Sequence, residues 1–147
     1  MAKSVVYKGH LTLITVISSR MLLAHGFVAK VFEVFAKHEV VINMISTSEI
    51  TISITTDASE ARLKAAIKDL SDFGKVEVKG GHALVCLVGE GMAGIPGVAA
   101  KAFTTLAESK INVQMISQGA REINISILVS DDDAKQATAA LHAAFFE

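Results

Sequence analysis

Two short stretches of this chain carry groups able to hold a small zwitterion. In His25-Gly26-Phe27-Val28 a glycine stands where an apolar helical pattern begins, so the backbone N–H groups of a first helical turn are free to face an anion such as an α-carboxylate. Gly26 permits close approach. Downstream, Val41-Ile42-Asn43-Met44-Ile45 reads as a strand that turns through Ser46-Thr47-Ser48-Glu49, supplying an amide, hydroxyls and a carboxylate for an α-ammonium and a basic side chain. Each residue also has a plainer use. Gly26 and Gly97 serve turn geometry, Glu49 a solvated turn, Asn43 and Gln114 exposed strand positions, and Met21 and Met92 core filling.

Other chemistry is hard to assemble. Gly89-Glu90-Gly91-Met92-Ala93-Gly94 spells the GxGxxG pattern of dinucleotide sites and follows a strand, but its context is wrong. The next helix is expected only at Ile95 or Pro96, and the following strand, Val113 to Gln118, has no acid for a ribose. The corresponding loop Ser18-Ser19-Arg20-Met21-Leu22-Leu23 has no glycine, so a plain loop is the reading. The histidines His10, His25, His38, His82 and His142 show no metal-ligand spacing with one another or with Cys86, and no serine lies in a nucleophile elbow. A Walker-type phosphate loop is also missing. No catalytic residue, metal or cofactor is assigned.

The elements that would position the zwitterion site occur twice. Residues 18–46 laid on 89–117 at an offset of 71 give nine identities in 29 positions, among them Gly26/Gly97, Lys30/Lys101, Phe32/Phe103 and Met44-Ile45-Ser46/Met115-Ile116-Ser117. At an offset of 73 the match resumes with Glu49-Ile50/Glu122-Ile123 and Ile52-Ser53-Ile54/Ile125-Ser126-Ile127. Each copy reads β, loop, α, β, β, α. Val28, Val31, Phe32 and Phe35 form one apolar helical stripe and Leu63, Ala66, Ile67 and Leu70 another, with Asp57 and Asp131 expected as N-caps of the second helices. Ile50, Ile52 and Ile54 alternate with Thr51, Ser53 and Thr55, the period of a half-buried antiparallel strand.

The copies differ at their ends. Copy one continues into Lys75-Val76-Glu77-Val78-Lys79 and is expected to turn at Gly80-Gly81, whereas copy two stops after its second helix. The N-terminal strand Ser4 to Lys8, set off by Gly9, would complete copy two. Copy one is then inserted within copy two: residues 10–80 form one domain, and 1–9 with 81–147 the other. A 70-residue repeat alone buries too little surface to be more than marginally stable, so the halves are expected to fold together.

Of 147 residues, 14 are basic and 15 acidic, without a basic cluster, which argues against nucleic acid as a partner. Mean hydropathy is +0.47, yet the uncharged runs at 11–19 and 91–100 reach about half a membrane span. A soluble protein is expected, its apolar excess covering a sheet face or edge in an oligomer or filling a strongly apolar core. Cys86 within Ala83-Leu84-Val85-Cys86-Leu87-Val88 reads as a small buried hydrophobe, and the N-terminus lacks a signal-peptide pattern, so a reducing cytoplasm is expected.

On Ser18-Ser19-Arg20-Met21-Leu22, His25 to Phe32, Thr47-Ser48-Glu49-Ile50, Pro96-Gly97-Val98-Ala99-Ala100-Lys101 and Ile116-Ser117-Gln118-Gly119, the chain resembles the tandem ACT domains of aspartokinases, especially the lysine-sensitive type. The resemblance covers essentially the whole length. It implies an α+β fold of two ferredoxin-like βαββαβ ACT domains, the first inserted within the second, and a feedback inhibitor, L-lysine or L-threonine, bound where ACT domains meet across a homodimer. By matching positions the site would involve Met21, His25, Gly26, Phe27, Val28, Asn43, Ser48 and Glu49, with Glu49 taking a lysine ammonium. Lysine-sensitive members usually have Asp where this chain has Asn43, which removes one negative charge and leaves threonine in play. The implied partner is an aspartokinase catalytic domain or subunit, and the chain alone would have no kinase activity. Two other readings stay open: a free-standing amino-acid sensor acting on another partner, and a small enzyme on a ferredoxin-like fold.

Overall fold

A computed structural model describes residues 2–19, 25–90, 94–118 and 124–147. The elements follow the order β1 (Ala2–Ile17), α1 (Phe27–Lys37), β2 (Met44–Thr47), β3 (Thr51–Thr56), α2 (Glu60–Leu70), β4 (Lys75–Gly89), α3 (Val98–Glu108), β5 (Met115–Ser117), β6 (Asn124–Ser130), a 3-10 turn (Asp131–Asp133) and α4 (Ala134–Phe146). Two compact units divide the chain: Leu11–Gly80, and Met1–His10 with Gly81–Glu147.

In the Leu11–Gly80 unit the strands lie in the order β2-β3-β1-β4. β1 pairs antiparallel with β3 from Thr12↔Thr56 to Ile17↔Thr51, and β2 with β3 from Met44↔Thr55 to Thr47↔Ile52. Ile14, Val16, Ile52 and Ile54 form the sheet side of the core, and Val31, Phe35, Leu63, Ala66 and Leu70 the helix side. Phe35, only 1% exposed, is a principal filler, and its truncation to Ala costs about 3–5 kcal/mol. Val28 does not belong to the buried stripe, because it turns outward and is 39% exposed.

The other unit has the order β1-β4-β6-β5, with β4 and β6 antiparallel from His82↔Ser130 to Val88↔Asn124 and β5 paired with β6 at Met115↔Leu128. Its core repeats the plan in smaller side chains, with Ala102, Leu106, Ala137 and Leu141 over Val85, Leu87, Ile125 and Ile127. Cys86 departs from the expected burial. It alternates out of the core to a half-buried position with Sγ 3.6 Å from Ser126 Oγ.

The glycines expected to break strands do not break them. β1 runs through Gly9 and β4 through Gly80-Gly81, while His10 (φ 58°) and Gly81 (φ 73°) adopt left-handed backbone at the limits of the two units. One such residue bends a strand without ending it. Asp131 supports the bend, its Oδ1 accepting from His10 N at 3.0 Å. It is therefore not the N-cap of α4. Ser130 caps the 3-10 turn that leads into that helix, and α2 is capped by Ser59, which accepts from Arg62 N, and not by Asp57. Serine at these junctions competes well because its short hydroxyl reaches the free N–H two or three residues on.

Candidate functional site

The loop leaving β1, the start of α1 and the β2–β3 turn converge at one end of the Leu11–Gly80 unit. Ile17 pairs with Thr51, and Ser18 N donates to Ile50 O at 2.8 Å, which fastens the start of the loop to the end of the turn. Gly74 lies against the same corner. A Cβ there would stand 2.3 Å from Ile17 O and 2.8 Å from Ser18 Cβ, so only glycine fits without a shift.

Gly26 is the N-cap of α1 with φ 75° and ψ 2°, a left-handed conformation that glycine adopts without steric cost. Among the described residues no side-chain hydrogen bond caps this helix end. The first intrahelical bond runs from Lys30 N to Gly26 O at 3.1 Å, so the N–H groups of the first turn have no partner within the helix, and the helix dipole favours an anion before them. Phe27 contributes backbone only. Its ring is buried and meets Phe73 edge to face, 5.8 Å between centroids at 86°, which anchors this end of α1. His25 and Val28 are exposed beside it, and Met21 lies outside the described residues.

In the turn, Ser48 and Glu49 are both exposed. The Ser48 hydroxyl is engaged with Thr51, at 2.6 Å from its Oγ1 and 3.2 Å from its N, so it stiffens the turn. Glu49 is the carboxylate nearest in sequence to this corner. Ser46 and Thr47, expected in the turn, belong to β2, whereas Val41, Ile42 and Asn43 precede that strand.

Asn43 is therefore not gathered with the others. It sits before the far end of β2, five residues from Ser48, or about 17 Å at extended spacing. Its N donates to Thr55 O at 2.8 Å, and its Oδ1 is buried without a hydrogen-bond partner. Thr55 Oγ1 is likewise buried and unpartnered. The alternation pattern missed Thr55, which is fully buried, while Ile50 is 43% exposed. The available signal was the duplication, since Thr55 pairs with Met44 where Leu128 pairs with Met115.

The second unit repeats the helix start. Gly97 (φ 88°) is the uncapped N-cap of α3, which begins at Val98 and not at Ile95 or Pro96. The turn equivalent to Ser48-Glu49 falls in 119–123, outside the described residues, as do Gly91, Met92 and Ala93 of the GxGxxG match. Among the described residues no group of His, Cys, Asp and Glu could hold a metal, and no helix is long and apolar enough to cross a membrane.

In each unit antiparallel strands carry two helices, the first led by a left-handed glycine, and this duplicated order of elements defines a tandem repeat of one α+β module, with which family comparison agrees. Residues 14–72 and 85–145 each match the ACT domain. The chain belongs to the ACT-domain family, as its sequence resemblance implied. It is 38% identical over 149 residues to the aspartokinase of Candida albicans, covering 99% of this chain and 27% of that protein. It thus spans little more than a quarter of that relative. Escherichia coli aspartokinase III, solved in complex with lysine and aspartate, superposes with a TM-score of 0.86 at 33% identity, over 99% of this chain and 33% of that one. The regulatory subunit of aspartate kinase from Thermus thermophilus gives 0.85 at 27% identity over 99% of both chains. The matched length is regulatory ACT region and not a kinase catalytic domain.

Proposed function

We propose that this chain is the feedback-regulatory part of a cytoplasmic aspartate kinase, that its ACT domains comprise residues 10–80 and residues 1–9 with 81–147, and that the first binds an end-product amino acid, lysine in preference to threonine. The observation that carries this is the uncapped first turn of α1 behind left-handed Gly26, beside a turn bearing Glu49. The first-turn N–H groups take the α-carboxylate, and Glu49 takes the side-chain ammonium. Binding at that corner couples the loop, the helix and the turn, and an attached catalytic domain or subunit responds to the state it favours.

A homodimer completes the site. Asn43 and Ser48 stand at opposite ends of β2, too far apart for one small amino acid. β2 is an edge strand with Ile45 45% exposed, and two copies laid antiparallel along it bring Asn43 of the partner subunit beside Ser48 and Glu49. This reading is tested by titrating L-lysine, L-threonine and control amino acids into the chain in a calorimeter. Saturable binding of lysine or threonine, one site per chain, is expected, and heats of dilution for both would overturn it.

A further inference from the structure

At the other end of α1, Asp69 Oδ2 on α2 lies 2.6 Å from His38 Nε2 and 3.1 Å from Lys37 Nζ. His38 is the C-cap of α1 and Lys37 its last residue, so one carboxylate holds the end of that helix. Lys37 is 69% exposed and adds little. His38 is 18% exposed, and its short bond to a carboxylate is the strong one.

A second tie joins the same helices: Arg62 Nη1 donates to Glu39 O at 3.1 Å. The duplication separates the two. In the other copy Gln136 Nε2 on α4 donates to Ser109 O at the end of α3 at 3.3 Å, so a hydrogen bond from the second helix to the end of the first recurs. The carboxylate does not recur, because α4 carries no Asp or Glu anywhere along its length, and α3 has no basic residue in its last turn. The ionic tie belongs only to the copy whose helix start faces the proposed effector.

We infer that Asp69 is a positioning residue for effector binding: by holding His38 at the C-terminal end of α1, it fixes the axis of the helix whose first turn receives the ligand carboxylate. This rests on the effector site proposed above. α1 is a rigid rod about 16 Å long, so a tilt of about 5° at its C-terminal end displaces the N–H groups of Phe27 and Val28 by more than 1 Å, enough to spoil hydrogen bonds to a carboxylate. The apolar packing of Val31 and Phe35 resists translation of the helix but provides no directional contact at its end.

The test compares the wild-type chain with Asp69→Asn, His38→Leu and His38→Gln, reading L-lysine affinity by calorimetry and the ligand-free amide NMR signals of Gly26, Phe27 and Val28. Asp69→Asn and His38→Leu are expected to weaken lysine binding about fivefold and to move those amide signals. His38→Gln keeps an N–H donor for Asp69 and is expected to restore both. Unchanged affinity with unmoved amides in Asp69→Asn and His38→Leu, in a wild type that binds lysine, overturns the positioning role alone. A loss in His38→Gln as large as in His38→Leu also overturns it. A wild type that binds neither lysine nor threonine overturns the effector site and this role together.

Discussion

The rings of Phe27 and Phe73 meet edge to face at 5.8 Å, joining the first residue of α1 to the segment that follows α2. This contact holds the helix start from the core side while leaving its N–H groups open. Phe73→Ala is expected to lower stability by about 2 kcal/mol, less than a fully buried phenylalanine because the ring is half-buried. It should also weaken amino-acid binding. Urea unfolding with a parallel titration checks both.

Gly74→Ala is expected to destabilise by about 2–4 kcal/mol, since the added Cβ meets Ile17 O at 2.3 Å and backbone cannot retreat as a side chain does. A fall of several degrees in the calorimetric midpoint checks this. An unchanged midpoint would mean that the β1 end and the segment after α2 are not in contact.

The pH dependence follows from Asp69. The hydrogen bond from His38, then that from Lys37, hold its carboxyl below its ordinary value of 3.8, with partial desolvation opposing them. A carboxyl lowered in the folded state contributes stability that is present above its unfolded value and is lost as pH falls through the folded one. Wild-type stability should therefore decline in acid below about pH 4, and Asp69→Asn should flatten that part of the curve while lowering the neutral plateau. Denaturant midpoints between pH 2 and 7 provide the check.

Ile45→Glu on the exposed edge of β2 is expected to convert a dimer into a 15.5 kDa species by light scattering and to weaken lysine binding with it. A wild type that is monomeric at high concentration, with and without lysine, would contradict the shared site.

The duplicated plan was legible because both copies keep the same apolar spacing, from Val31 and Phe35 in α1 to Leu106 in α3. Gly26 and Gly97 were legible as special positions, and both prove left-handed. Strand continuity was not. Gly9 and Gly80-Gly81 look like punctuation in one dimension, but long-range pairing and the Asp131–His10 bond carry the strands through. Asp131 was misassigned for the same reason, because a local capping pattern cannot register a partner 121 residues away. Within one chain Asn43 stands apart from Ser48 and Glu49, because an extended strand sends near neighbours in sequence to opposite ends.

In the proposed complex copy one holds the amino acid with its carboxylate on the first turn of α1 and its side-chain ammonium on Glu49. Calorimetric titration of L-lysine and L-threonine into the wild type and Glu49→Gln tests it most directly. Loss of a sheltered, charge-assisted hydrogen bond of about 1.5–3 kcal/mol predicts roughly a tenfold to hundredfold weaker lysine affinity, with threonine affinity little changed. Unchanged lysine binding in Glu49→Gln would contradict the account and leave Glu49 as a solvated turn residue.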